Sequence, residues 1–374
     1  MRILVDGRVW SRNAAGITSF LTGALLTWAE QQPADTFFVL LPKGLDASIE
    51  LPPLPENVRL LDYGRRFPSF LPNIIILQLV VPSLCRRQDI DLYFSPVPHL
   101  PACLPRKVRT LVTVHDVVNL EMAETMAWTN RLATQRFFSR AVQNADFLWT
   151  NSRYTKQKVE QYFPERKCKP IFVGDAIDRD LYYPRHLSEA EKTAVRERFG
   201  IHGRFLLFVG SLEPRKNIPF LLELVRKSYG KIGAQLVVVG GKGWKNTSIR
   251  EIVEDSSFPR ESTVFCGYVT KDDLALLYNT ADCFVSASRM EGLGLPQIEA
   301  LACGCPIVTA DNTAMTEVAE GKQGAYLVQG YDEAQWLATI LHVLDEQPKV
   351  DPTQLEEYRW ENVISGLKEY LEKK

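Results

Sequence analysis

The sequence predicts an α/β protein built from two doubly wound parallel sheets. Three observations carry that expectation. The chain has 374 residues, more than one ordinary domain of ~100–150 residues. Apolar runs alternate with helical patterns through the first half, and the same alternation starts again near residue 204.

In the first half, RILVDG (2–7), TFFVLLP (36–42), LYFSP (92–96), RTLVTVHDV (109–117) and DFLWTNS (146–152) read as strands. They are rich in β-branched and aromatic residues without polar alternation, as strands covered on both faces should be. Stretches such as ITSFLTGALLTWAE (17–30) supply helices between them. Residues 175–203, dense in charge and turn formers, read as a linker with a short helix. The second half repeats the rhythm with RFLLFVG (204–210), AQLVVVGG (234–241), TVFCGYV (263–269), DCFVSAS (282–288) and CPIVTA (305–310). The final stretch from Trp360 puts Val363, Ile364, Leu367, Tyr370 and Leu371 on the same helical face as the tryptophan, which must pack on something.

Composition sets few limits. The chain is 45% hydrophobic and 24% charged with a net charge of −1. Residues 1–180 hold 22 Lys and Arg against 18 Asp and Glu; residues 181–374 hold 22 against 27. The mild basic excess in the first half fits an anionic partner such as a phosphorylated lipid, or chance. Nothing in it points to nucleic acid. Seven cysteines at irregular spacing fit reduced thiols in a cytoplasm, and Cys303 and Cys305 lack a second pair to make a zinc site. Asp6 and Arg8 interrupt what a signal peptide would need, so a cytoplasmic protein is expected. FLPNIIILQLVVPSLC (70–85) is too short and too broken to span a membrane. With Arg65, Arg66, Arg86 and Arg87 it marks 65–87 either as a peripheral contact with the inner membrane face or as a core helix.

Two strand-to-helix turns carry the chemistry. In EGLGLPQIE (291–299), Gly292 and Gly294 let backbone N–H groups approach a ligand. Pro296 fits the first position of the helix and Gly304 its stop, so the helix start is an anion site. Glu299, expected in the first helical turn, can accept from a ribose diol, and Glu291 can reach sugar hydroxyls from the loop. Otherwise both are solvated acids. In VGSLEPRKN (209–217), Arg215 and Lys216 stand where a phosphate would sit, with Pro214 fixing the turn and Asn217 expected as an N-cap. A solvated basic turn is the other reading.

Together, EPRKN (213–217), GGKGW (240–244), FCGYV (265–269) and EGLGLPQIEALACGCPIV (291–308) resemble the retaining family-four glycosyltransferases of the GT-B fold. The resemblance runs over most of the chain and is dense from about 205 to 320. It implies two Rossmann-like domains facing a cleft, with the C-terminal helix packing back on the N-domain. The first domain would be 1–175 with helix 355–374 and would bind acceptor; the second, 176–354, would bind the nucleotide sugar. It further implies that Arg215 and Lys216 clamp the donor pyrophosphate, beside Gly210, and that Glu299 binds ribose. Glu291 and the backbone of Gly292, Leu293, Gly294 and Leu295 would hold the transferred sugar and phosphate. Tyr268 and Val269 fall at nucleobase contacts, Gly16 of the first loop at the donor phosphate, and His115 at the far sugar hydroxyl. From the residues alone His115 is a structural histidine; Asp116, Ser152 and Asn151 read as loop and helix caps. The chain departs from the pattern with one glycine in AAGI (14–17) and with VGDAID (173–178) in place of an Asn-Gly pair.

The resemblance implies a hexose transfer without metal, the departing phosphate itself taking the acceptor's proton. EPRKN with GGKGW is similar to bacterial mannosyltransferases of surface polysaccharide assembly, which favours GDP-mannose and a lipid-linked saccharide acceptor. UDP-hexoses and dTDP-rhamnose stay open as donors, as do an epimerase and a non-catalytic sugar-nucleotide binder; no oligomeric state is implied. A metal-dependent transferase would use Asp-x-Asp, found at 89–91 and 178–180, positions that suit a strand start and a linker. A dinucleotide oxidoreductase would need a third glycine that GKGWKN and GLGLPQ do not supply.

Overall fold

The computed structural model describes residues 1–10, 15–41, 51–62, 76–121, 128–241 and 247–373. Arg65 and Arg66, Ala14 of the first loop, and Lys242 to Trp244 of GGKGW lie outside the described residues. The chain divides into two compact units, Met1–Ala176 with Glu357–Lys374, and Ile177–Glu356.

Among the described residues the first unit holds a seven-stranded sheet: β1 (Arg2–Val5), β2 (Thr36–Leu40), β3 (Val58–Leu61), β4 (Leu92–Ser95), β5 (Arg109–Val114), β6 (Phe147–Thr150) and β7 (Phe172–Val173). Its order is β3-β2-β1-β4-β5-β6-β7, every pairing parallel. The second unit repeats the plan with β8 (Arg204–Val209), β9 (Ala234–Val239), β10 (Thr263–Gly267), β11 (Cys283–Ser286), β12 (Ile307–Ala310) and β13 (Ala325–Val328). Its order is β10-β9-β8-β11-β12-β13, again parallel. In both sheets the order reverses beside the first strand, which opens a crevice at the carboxyl ends of β1 and β4 and of β8 and β11.

Three strands were not anticipated from the sequence: β3, β7 and β13. All three are edge strands of two to four residues. An edge strand has one hydrogen-bonded neighbour and partly wet faces, so VRLL or AYLV need not form an unbroken apolar run. The linker helix is Glu189–Arg198, opened by a capping box in which Ser188 and Glu191 satisfy each other's backbone amides.

The amino edges of the sheets share a device. An aspartate before one strand accepts an amide from the first two residues of its neighbour: Asp91 from Arg2, Asp146 from Thr110, and Asp282 from Phe205, at 2.8–2.9 Å. Each closes an amide that the ladder leaves open.

The C-terminal helix, Trp360–Glu372, buries Trp360, Val363, Ile364, Leu367 and Leu371 in the first unit's core. It crosses the helix Ala15–Gln31 so closely that a Cβ on Gly23 would lie 2.2 Å from Trp360 Nε1. Tyr370 then accepts the Leu148 amide and donates to the Pro170 carbonyl. Of the 70–85 stretch, the described part turns Leu77, Val80, Val81, Leu84 and Cys85 inward and leaves Leu79 exposed. Among the described residues no helix is long and apolar enough to cross a membrane.

Candidate functional site

The two turns singled out in the sequence leave adjacent strands. β8 runs into 210–217 and β11 into 287–294, so the reversal between β8 and β11 brings them side by side. Arg289 N–H donates to the Arg215 carbonyl at 2.7 Å, tying one loop to the other.

Glu291 is the hub of what they build. Its Oε2 accepts from Arg215 at 2.7 Å; its Oε1 pairs with the Lys216 ammonium and accepts from Ser288 Oγ at 2.9 Å. Arg215 also pairs through Nε with Glu213 at 2.8 Å and donates to the Met290 carbonyl at 3.3 Å. Glu291 is 7% exposed and Lys216 8%. Burial by itself would raise the Glu291 carboxyl, but the Lys216 ammonium and the Arg215 guanidinium outweigh it and hold it at about 2. The two cations of the neighbouring loop engage both oxygens, so Glu291 is not a solvated acid; Oε2, with Arg215 as its one donor among the described residues, keeps a lone pair that a ligand hydroxyl can use. The cations likewise meet counter-charges in Glu213 and Glu291. Lys216, with three N–H donors, has two beyond Glu291.

Local conformation serves the same arrangement. Pro214–Lys216 form a 3₁₀ turn, and Asn217 takes a left-handed φ of 52° before the helix Ile218–Ile232. Asn217 stands at the cap position but its side chain makes no cap bond; its role is the reversal, not the expected N-cap bond. Gly294, at φ 93°, caps the helix Leu295–Ala302, which places Leu295 first and Pro296 second, one residue later than expected. Gly292 and Leu293 lie between Glu291 and that cap, with Leu293 buried.

Glu299 is the fifth residue of this helix, past the expected first turn. Tyr278, on the helix Lys271–Thr280, donates to its Oε2 at 2.8 Å. Burial lifts the Glu299 carboxyl to about 7, with Tyr278 and Lys271 offsetting only part. Its Oε1 has no protein donor among the described residues, so one oxygen remains to accept from a ligand hydroxyl.

The loops after β8, β9 and β10 crowd together. A Cβ on Gly240 would lie 2.1 Å from the Gly210 carbonyl oxygen, and one on Gly241 would lie 2.4 Å from the Tyr268 ring. Only glycines permit this approach. Tyr268 is thereby laid on bare backbone with 72% of its surface in solvent, and Val269 follows it half-buried. An exposed aromatic face at a strand's carboxyl end is a stacking platform.

In the first unit, His115 follows β5 directly. Its Nε2–H donates to the Pro96 carbonyl at 2.9 Å, and Phe20 meets its ring edge-on at 4.6 Å. Since a carbonyl only accepts, the neutral ring carries its proton on Nε2 and offers Nδ1 as an acceptor. Burial depresses the His115 pKa, against the Pro96 carbonyl and Asp116. Asp116 accepts the Val118 amide at 3.1 Å, and Ser152 caps Arg153–Tyr162 through the Thr155 amide. The Asn151 side-chain carbonyl, by contrast, has no partner among the described residues. Gly16 is not in a loop: it is the exposed second residue of Ala15–Gln31, with nothing among the described residues near the place of a Cβ. Ser288 and Tyr278 were missed from sequence. Ser288, three residues before Glu291, is one backbone turn from it; Tyr278 reaches Glu299 from a separate helix and carries no sequence signal.

Residues 191–359 match the family described as Glycosyl transferases group 1. The chain is 27% identical over 323 residues to O-antigen chain mannosyltransferase B of Escherichia coli, covering 81% of this chain and 80% of that protein. It is also 27% identical over 225 residues to the serotype-specific mannosyltransferase WbdA of the same species, across 56% of this chain and 26% of WbdA. Among solved structures it is similar to Anabaena HepE in complex with UDP and glucose, at a TM-score of 0.70 and 16% identity, each chain covered completely. That likeness places the fold among the GT-B glycosyltransferases.

Proposed function

We propose, for a chain that carries a group 1 glycosyl transferase domain over residues 191–359, that it moves mannose from GDP-mannose with retention of configuration. The acceptor in this reading is a lipid-linked saccharide of bacterial surface polysaccharide assembly. The names of the two mannosyltransferase relatives support the sugar and the setting. The observation that carries the reading is the joining of Arg215 and Lys216 to one buried carboxylate at the β8–β11 reversal.

Sugar transfer requires the diphosphate to gain negative charge as the anomeric C–O bond breaks. Lys216 has N–H donors left to meet that charge, and the start of Leu295–Ala302 adds amides and the positive end of its dipole. Glu291 holds both cations in place and stays ionised, so their positions do not drift with pH. Glu299 takes a ribose hydroxyl on Oε1, and Tyr268 offers its face to the nucleobase. In the first unit, His115 offers Nδ1 as an acceptor for a saccharide hydroxyl. The departing phosphate oxygen accepts the acceptor's proton while the acceptor oxygen attacks from the same face; a trapped glycosyl-enzyme adduct would sink this step.

A donor panel tests the reading. Thermal shifts are measured with GDP-mannose, UDP-glucose and dTDP-rhamnose, since a cognate donor stabilises the fold by mass action. Transfer to a saccharide acceptor is then followed in EDTA. GDP-mannose should give the largest shift and undiminished transfer. A larger shift with another donor overturns the sugar, loss of activity in EDTA overturns the metal-free route, and turnover without transfer overturns the transferase.

A further inference from the structure

A groove of about 270 Å³ opens at the amino edge of the first sheet, walled by the 100–110 loop, Arg140, Asn144, Asp146 and Lys167. Its charge is lopsided. Arg106, Arg109, Arg140 and Lys167 line it against a single carboxylate, Asp146. That carboxylate is already engaged. Its Oδ2 accepts from the Thr110 amide and hydroxyl, at 2.9 Å each, and its Oδ1 meets Lys167 Nζ at 2.5 Å.

Among the described residues, none of the three guanidiniums meets a carboxylate. Two are nonetheless held in position: Arg109 lies over the Phe147 ring at 5.2 Å, and Arg140 donates to the Ala102 carbonyl at 3.3 Å. A guanidinium presents five N–H donors in a fixed fork, which suits the paired oxygens of a phosphate. Ordinary solvated arginines line convex surface and swing freely. Here they converge on a concavity, and two are steered by the wall itself.

We propose that this groove is a second ligand site, taking a diphosphate group. β5 begins in the groove at Arg109 and ends beside His115, so the two places lie about 20 Å apart along the strand. The diphosphate is either soluble or the head group of a lipid. Gln78 Oε1 accepts the Ala102 amide at 2.6 Å, which brings the chain at Leu79, 64% exposed, close to the rim and favours the lipid.

Inorganic pyrophosphate is titrated by calorimetry into the wild type, K216A and the double variant R106Q/R140Q, whose substituted residues are both exposed. The double variant should lose one binding event, with affinity falling about tenfold or more per guanidinium removed. An unchanged isotherm for R106Q/R140Q overturns the groove site. K216A should keep that event, so failure of the donor-clamp reading and failure of this one leave different traces. Sedimentation with phosphatidylcholine vesicles, with and without polyprenyl diphosphate, separates the sources. Capture that needs the diphosphate lipid and is lost in R106Q/R140Q assigns a head group; pyrophosphate binding without capture assigns a soluble anion. Equal capture by phosphatidylglycerol vesicles of matched charge overturns the site in favour of general surface attraction.

Discussion

Replacing Glu291 by glutamine keeps the side chain's shape and removes its charge. Lys216 and Arg215 hold this carboxyl at about 2 against an ordinary 4.5, overcoming the opposing effect of burial. At 1.36 kcal/mol per pKa unit, the ionised form contributes about 3 kcal/mol to folding at pH 7. Because the folded-state value is depressed, the contribution is complete above the ordinary carboxyl range and disappears as pH falls through about 2. E291Q should therefore melt about 6–12 °C below the wild type at pH 7, at 2–4 °C per kcal/mol for a unit of this size. By pH 3 the difference should shrink to less than half. Ligand response should move the other way. With the internal carboxylate neutral, Arg215 and Lys216 are left with more charge than Glu213 balances, so inorganic pyrophosphate should raise the melting temperature of E291Q more than that of the wild type. Scanning fluorimetry with and without pyrophosphate at pH 7 and pH 3 reads both effects. An E291Q protein that melts with the wild type at pH 7, or gains no more from pyrophosphate, would refute the hub.

Three further outcomes are expected. Lys216→Ala should lower kcat by ~10²–10³ with a smaller change in KM, because its contact strengthens as the diphosphate leaves; turnover at the wild-type rate would remove it from the phosphate. Glu299, raised to about 7, should release a proton when its ionised form accepts a ribose hydroxyl, so donor affinity should rise about tenfold from pH 6 to 8 and E299Q should flatten the profile. Calorimetry in buffers of different ionisation enthalpy counts that proton, and finding none would contradict the assignment. Asp175 is 2% exposed, bonded through its side chain to the Ala176 amide, and pushed by burial to about 8. Its raised value means stability is lost as pH climbs from the ordinary carboxyl range to about 8, so Asp175→Asn should stabilise the fold by about 4 kcal/mol at pH 7 and little at pH 4. Equal denaturation midpoints for the two proteins at pH 7 would disprove it.

The sequence made the interior of the fold legible because central strands of a doubly wound sheet are covered on both faces. RFLLFV and AQLVVV admit no other placement, whereas VRLL, FV and AYLV at the edges carry too little apolar signal to stand out. A sharper clue lay in IDLYF, ADFLW and ADCFV, where an aspartate precedes each of three strands and closes an amide at the start of a neighbour. The two turns of the candidate site were legible for the same topological reason: they follow the strands at the reversal. What sequence could not convey was pairing across loops. A sequence separation of 76 between Arg215 and Glu291 gives no sign that they share a bond, so from sequence Glu291 reads as a free carboxylate. Gly16 differs in another way: the resemblance implies a loop position, whereas the helix begins one residue before it.

Glu291 and Glu299 stand eight residues apart on one loop and helix, yet their carboxyls are driven in opposite directions from similar ordinary values. Glu291 is buried and Glu299 half-buried, so burial alone would raise the more deeply buried Glu291; their partners reverse that order. Glu291 faces two cations and stays charged through the whole physiological range. Glu299 faces a phenol, which donates one hydrogen bond and no charge, and it titrates near neutrality. Glu299 is thus the carboxylate of the pair that responds between pH 6 and 8, while Glu291 keeps its charge. That division separates the two halves of donor recognition physically. Moderate acid should loosen the hold on hydroxyls through Glu299 before it disturbs the seat of the diphosphate, and a variant that neutralises Glu299 should lose the first response without touching the second.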